Sequence, residues 1–339
     1  MKPLLITLCF LSLYCGGFSQ NDSAVYYFQK ALEEHKSGRL AVADNYLSKS
    51  IGFNKDFTAA YIAKGKVNLS MRRVYDALQS FSKANELDPA NEEVIKELAE
   101  LYFNNRQYQQ AMEFVKKCKT CSDADRMMGL IYYNTEDYGK ALSYLEKAAA
   151  SDKNDALTSY TLGRTFLELE DEKKAITHFV NAINSDNTRN VWMYELALIY
   201  YSQEQYAEAL KYFHAAAQAG YNTTNDFNEN LGFAQLYARE TDNGLQTLTS
   251  LLERKPNNKE LLGNIASALY YTAKYDEAIS YYDKLLTLDQ KNAAALYMAG
   301  MAFQKKGDKE KGQKMCDKAI EMDPSLAKNR QKRDLPMGL

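Results

Sequence analysis

The sequence predicts an all-α fold, a solenoid of about nine helix-turn-helix repeats, and three observations predict it. First, small residues recur with a period of 34: Ala43, Ala77, Ala111, then Ala141, Ala175, Ala209, then Gly244, Ala278, Gly312. Twelve residues before each stands another, in the order Ala31, Gly65, Ala99, Gly129, Gly163, Ala197, Gly232, Ala266 and Gly300. Second, a larger residue follows each of the first set by four: Leu47, Phe81, Val115, Leu145, Phe179, Phe213, Leu248, Tyr282 and, at the end, Cys316. Third, between Thr58 and Asn91 apolar residues return every three or four positions on both sides of the break Ser70-Met71-Arg72-Arg73, the pattern of two amphipathic helices. A glycine inside a helix costs about 1 kcal/mol relative to alanine. Gly65 is sensible only if a second helix needs the space, and Ala77 is its small counterpart there. Length alone would suggest two globular domains, but a solenoid has one continuous core in which each repeat touches its neighbours.

The spacing Gly65, Ala77, Phe81, Ala84, Pro89 resembles the tetratricopeptide repeat, a helix-turn-helix unit of 34 residues. The resemblance covers 24–326 and implies a right-handed superhelix with repeats at 24–57, 58–91, 92–121, 122–155, 156–189, 190–224, 225–258, 259–292 and 293–326. It says little about function, because such folds host many roles.

Taken in order, the chain opens with Lys2, an apolar run from Pro3 to Tyr14, and Cys15-Gly16-Gly17-Phe18-Ser19-Gln20. A charged start, an apolar run too short to span a bilayer and small residues before a cut describe a secretory signal peptide over 1–19, cleaved after Ser19. Lipidation is disfavoured, since Tyr14 precedes Cys15 and Leu8 precedes Cys9 where a small residue is needed. The expected location is the periplasm, the outer envelope or the medium. The first repeat has Gly38 at its turn, and Pro89 closes the second, because proline lacks a donor and disfavours helix before it. The third loses a helical turn near Cys118-Lys119-Thr120-Cys121, and Ser122 with Asp125 is expected to cap the helix that follows. The fifth and sixth keep strict period. Gly220-Tyr221-Asn222-Thr223-Thr224 carries one extra residue, a glycine stop followed by cap candidates. Pro256 and Pro324 close the seventh and ninth repeats, and a basic capping helix and tail are expected over 327–339, with Ser325 as its cap.

Charge is balanced, 42 Lys and Arg against 44 Asp and Glu, which argues against nucleic acid as a partner. Three histidines in separate repeats, and no nucleophile motif, phosphate loop or dinucleotide turn, leave no enzyme, cofactor or metal site to expect. Cys118 and Cys121 form the one reactive pair. In an exported protein a disulfide is the leading reading, with free thiols, a redox centre and a metal site as alternatives. Cys316 stands in a core column and is expected to be a buried thiol.

Tyrosine is the outlier, 26 residues against 14 Phe and one Trp. In the family resembled, the first helix of each pair lines a concave groove where ligands bind. Its groove columns fall here on Tyr133, Tyr160, Tyr194, Tyr201, Tyr237, Tyr270 and Tyr297, with Phe103 and Phe233. Some tyrosines of those helices, among Tyr102, Tyr132, Tyr200 and Tyr271, must instead pack inward. Acids including Glu93, Glu195, Asp226, Glu229 and Glu260 outnumber bases such as Lys66, Lys96, Arg126 and Arg164 on the same columns. The carboxylate clamp found in one chaperone-binding subgroup does not match: its first pair would fall on Phe28/Leu32, Ile62/Lys66, Lys96/Glu100, Arg126/Leu130 or Tyr160/Arg164, and none fits. The expected function is a non-enzymatic scaffold holding a peptide or partner protein against a tyrosine-rich face. A glycan-binding module and, last, a thiol redox protein are the alternatives.

Overall fold

The computed structural model describes residues 20–328, so the expected signal peptide and the tail beyond 328 lie outside the described residues. Within them the chain forms eighteen α-helices and a short 3-10 helix. It divides into two compact units at Lys153 and Asn154. The first unit pairs α1 (Gln20–Lys36) with α2 (Leu40–Phe53), α3 (Thr58–Ser70) with α4 (Val74–Leu87), α5 (Glu92–Asn104) with α6 (Tyr108–Lys117), and α7 (Ala124–Asn134) with α8 (Tyr138–Ser151). The second pairs α9 (Ala156–Glu168) with α10 (Glu172–Ser185), α11 (Asn190–Ser202) with α12 (Tyr206–Gln218), and α13 (Asn225–Tyr237) with α14 (Thr241–Arg254). It ends with α15 (Lys259–Tyr271) on α16 (Tyr275–Leu288) and α17 (Ala293–Lys306) on α18 (Lys309–Met322).

The two small columns meet face to face inside each pair. Ala43, Ala77, Ala111, Ala141, Ala175, Ala209 and Ala278 are fully buried. A methyl group added at Gly65 would lie 2.6 Å from Cζ of Phe81, so the ring of the large column occupies the room the glycine leaves. Gly300 and Gly312 approach more closely still: a Cβ at Gly312 would lie 2.4 Å from the carbonyl oxygen of Gly300. Phe81, Phe179 and Phe213 have no exposed surface, and each lies in a cluster with the buried residues of the following first helix. Gly52, outside these columns, has nothing within 4 Å of an added Cβ.

Every first helix ends the same way. Arg72, Arg106, Glu136, Glu170, Glu204, Arg239 and Ala273 are left-handed, with φ between 58 and 68°, at the turn position that Gly38 and Gly307 occupy in the outermost pairs. The next amide reaches back five residues: Arg73 N–H donates to Asn68 at 2.8 Å, Gln205 to Tyr200 at 2.9 Å, Lys274 to Leu269 at 2.8 Å. This Schellman closure satisfies the last carbonyls and reverses the chain into the second helix. A left-handed residue with a Cβ costs about 1–2 kcal/mol. Ala273→Gly is therefore expected to raise stability by up to about 1 kcal/mol, the gain being trimmed by the looser unfolded chain, read as a higher urea midpoint at unchanged slope.

The shortened third repeat is visible in α6, ten residues where α4 and α8 have fourteen. The cap expected at Ser122 does not form. α7 starts at Ala124 after Asp123, whose side chain makes no capping bond and instead holds Arg126 at 3.0 Å. An ion pair with a guanidinium competes for the carboxylate that would have met the free amides. At the extra residue, Gly220 is left-handed and Thr224 Oγ1 accepts the Phe227 amide, as its sequence suggests. Ser325 belongs to the 3-10 turn Pro324–Leu326, where its amide donates to Asp323, rather than capping a helix. Ala327 and Lys328 are helical, and the remainder of that expected helix lies outside the described residues.

Candidate partner-binding face

The first helices of each unit carry the candidate columns. Four of them repeat one contact: Phe103 with Tyr108, Tyr133 with Tyr138, Tyr201 with Tyr206 and Tyr270 with Tyr275, ring centroids 5.7–5.9 Å apart. In each, an aromatic in the last turn of the first helix meets the tyrosine that opens the second, so the turn fixes the ring. Tyr133, Tyr160, Tyr194, Tyr201, Tyr237 and Tyr270 are all half-buried.

Tyr160 stacks on Trp192 of α11 at 4.6 Å, donates its hydroxyl to Glu195 at 3.0 Å and accepts from Arg164 at 3.2 Å. Burial, and after it the Glu195 charge, push its pKa up to about 12, so the phenol stays a donor at neutral pH. Tyr194 lies between Tyr221, at 4.5 Å, and Phe227, and accepts from Asn230 of α13 at 3.2 Å. Tyr237 stacks on Tyr206 at 4.9 Å and lies 6.5 Å from Tyr201. Desolvation raises the Tyr201 and Tyr237 pKa values as well. These contacts tie α9, α11 and α13 into one face.

Tyr297 departs from this pattern. It is only 5% exposed and packs with Cys316 and Ala319, so it offers a partner almost nothing. The reason lies in the large column: Cys316 is short where Phe179 and Phe213 fill the matching space, and the Tyr297 ring takes up the room. Cys316 is buried and in no disulfide, the buried thiol expected of it. Tyr102, Tyr132 and Tyr200, expected to divide between groove and core, pack against their own second helices. They stack on Phe114, Tyr144 and Tyr212 of their second helices, at 5.5–5.6 Å, while Tyr271 is 72% exposed. The signal was present: an aromatic twelve residues on in each of those three pairs, and none after Tyr271 at the same interval.

Charge on the first-helix face is unevenly compensated. Lys66 pairs with Glu93, Lys96 lies 3.8 Å from Asp123, and Arg164 lies 3.4 Å from Glu195. Glu97 is raised by burial and by Glu100, but Lys66 and Lys96 pull it back. Glu229 is raised by burial and then by Glu260 and Asp226, with no cation opposing them.

Cys118 and Cys121 are joined, with Cα atoms 5.6 Å apart, directly after α6. Glu92 at the start of α5 accepts the amides of Lys119 at 3.0 Å and Thr120 at 3.3 Å, and the Thr120 hydroxyl at 3.2 Å. Cys118 occupies the C-terminal end of its helix, where the dipole opposes a thiolate, and this weakens a redox role. A loop this short confines the unfolded chain only modestly. Cys118→Ser/Cys121→Ser is expected to cost about 2 kcal/mol, and tris(carboxyethyl)phosphine should lower the parent's urea midpoint to match. Among the described residues no His, Cys, Asp and Glu side chains gather as metal ligands, and no helix is long and apolar enough to cross a membrane.

Tetratricopeptide repeat models match residues 69–117, 127–155 and 293–326, 191–219, and 261–294. The chain belongs to the tetratricopeptide repeat family. The family is generally a non-enzymatic interaction module, and this member shares its all-α solenoid. Among solved structures, YrrB, a TPR protein with an unusual peptide-binding site, is 26% identical over 56% of this chain and 97% of its own, with a TM-score of 0.40. MamA from Desulfovibrio magneticus RS-1 is 19% identical over 50% and 98%, TM-score 0.46. The C-terminal part of a TPR repeat-containing protein from Cytophaga hutchinsonii is 20% identical over 67% and 94%, TM-score 0.45. No curated protein matches the sequence.

Proposed function

We propose that this tetratricopeptide repeat protein is an exported scaffold of a bacterial cell envelope that holds a peptide segment of a partner protein along its first-helix face. The observation that carries the reading is the row of half-buried tyrosines in the second unit, Tyr160, Tyr194, Tyr201, Tyr237 and Tyr270. Each is held by neighbouring rings. Such side chains lose little freedom on binding and keep a polar tip for a partner's backbone, which is why aromatic residues dominate contact surfaces. The stacking of Tyr160 on Trp192 and Tyr237 on Tyr206 covers ring faces that a sugar would need, and this favours a peptide over a glycan.

In the reading's terms, Tyr201→Ala/Tyr270→Ala should recover far less partner than the parent in a pull-down from envelope extract, with equal recovery removing this face as the site. Export has its own check. Sequencing the N-terminus of protein isolated from the envelope should begin at Gln20, and a chain still beginning at Met1 would count against secretion.

A further inference from the structure

Cleavage after Ser19 would make Gln20 the first residue of the mature chain, and glutamine is the residue whose side-chain amide a terminal amine can attack. Gln20 is exposed, and its side chain makes no hydrogen bond among the described residues. The helix behind it is held in place. Asn54 at the end of α2 donates its side-chain amide to Oδ1 of Asn21 at 3.0 Å, and the buried Ser50 hydroxyl donates to the Ala24 carbonyl at 2.7 Å. Ala24 itself has no exposed surface. The new terminus would thus stand at the outer end of an anchored α1. A chain cut there has no carbonyl four residues upstream, so the Gln20 nitrogen has no helical hydrogen bond to give up.

We infer that Gln20 is a modification site, at which the mature N-terminus closes into pyroglutamate. This rests on the export reading proposed above. The lone pair of the α-amine attacks Cδ of the Gln20 side chain and forms a five-membered lactam. The Cδ–Nε2 bond breaks, one amine proton passes to the departing nitrogen, and ammonia leaves. No oxidant, reductant or second reactant is needed. The attacking form is available, because an α-amino group has a pKa of about 8 and is partly unprotonated at neutral pH. Two features of α1 favour the product. An α-ammonium would face the positive end of the helix dipole, and cyclisation removes it while Asp22 stays in the first turn, where an acid is favourable. The ring also has the shape of proline, which suits a first helical position because no hydrogen bond is asked of that nitrogen. A blocked end lacks the amine that aminopeptidases hold, and this protects Asn21 and Ala24, the residues that tie α1 to α2.

The test uses the full chain isolated from the envelope, with free amines dimethylated at lysis so that none cyclises during handling. Trypsin then cuts only at arginine, and the first peptide ends at Arg39. It is read by mass spectrometry, since stepwise chemical degradation stalls at a blocked end. The expected peptide starts at residue 20, is lighter than its sequence by one ammonia and carries no label on its terminus. Pyroglutamyl peptidase, applied to the denatured chain before labelling, should expose a labelled amine at Asn21. Gln20→Glu should be cut at the same place, but its ionised carboxylate resists attack and its terminus should carry the label. A parent peptide that starts at Gln20 with a labelled amine overturns the inference and leaves export standing. One that starts at another residue also overturns it, and a start at Met1 overturns export with it.

Discussion

Gly312→Ala is expected to destabilise the second unit by about 3 kcal/mol, at the upper end for an added methyl group. The new Cβ would fall 2.4 Å from the Gly300 carbonyl oxygen and 2.8 Å from the Gln304 backbone nitrogen. Neither is the end of a flexible side chain, so α17 and α18 must separate along their length. The substitution would be neutral or favourable in an exposed helix, since alanine is the better helix former. Gly52→Ala supplies that contrast, with open space around the added atom. Thermal denaturation followed by circular dichroism should show a lower midpoint for the first variant and an unchanged or higher one for the second.

Phe213→Ala should cost about 3–5 kcal/mol, the range for deleting a buried aromatic ring. Phe213 has no exposed surface and contacts Phe227 edge-on at 5.6 Å and Tyr194 at 5.9 Å. The loss would therefore reach the candidate face, because Tyr194 is positioned by the same cluster. Hydrogen exchange should show protection falling first across α11 to α13, and uniform loss over both units would speak against this local coupling.

Much of the fold was legible because its constraint is steric and periodic. Ala77 and Gly65 announce themselves by size alone, and a one-residue slip such as that at Gly220 is visible against a strict repeat. The left-handed turn was harder to read. At that position the sequence shows Arg, Glu and Ala between the outermost glycines, since the Schellman bonds hold a non-glycine residue where local preference would not. Gly38 and Gly307 at matching positions were the available clue. The candidate face was legible in outline, as columns of tyrosine and acid. Which tyrosines stay accessible depends on what the second helix presents: Tyr297 sank because Cys316 is small. Which acids stay unpaired depends on neighbours in the next repeat, as Lys66 with Glu93 shows, and single-helix spacing does not reveal that.

The most direct test of the packing on which all of this rests is a double-mutant cycle at Gly65 and Phe81, read by urea denaturation. Gly65→Ala should destabilise the parent by about 1–3 kcal/mol, because its methyl group meets the Phe81 ring. In a Phe81→Ala background the same change should stabilise by about 1 kcal/mol, since the ring is gone and alanine favours helix. An equal effect of Gly65→Ala in both backgrounds would contradict the claim that the small columns exist to admit the large one.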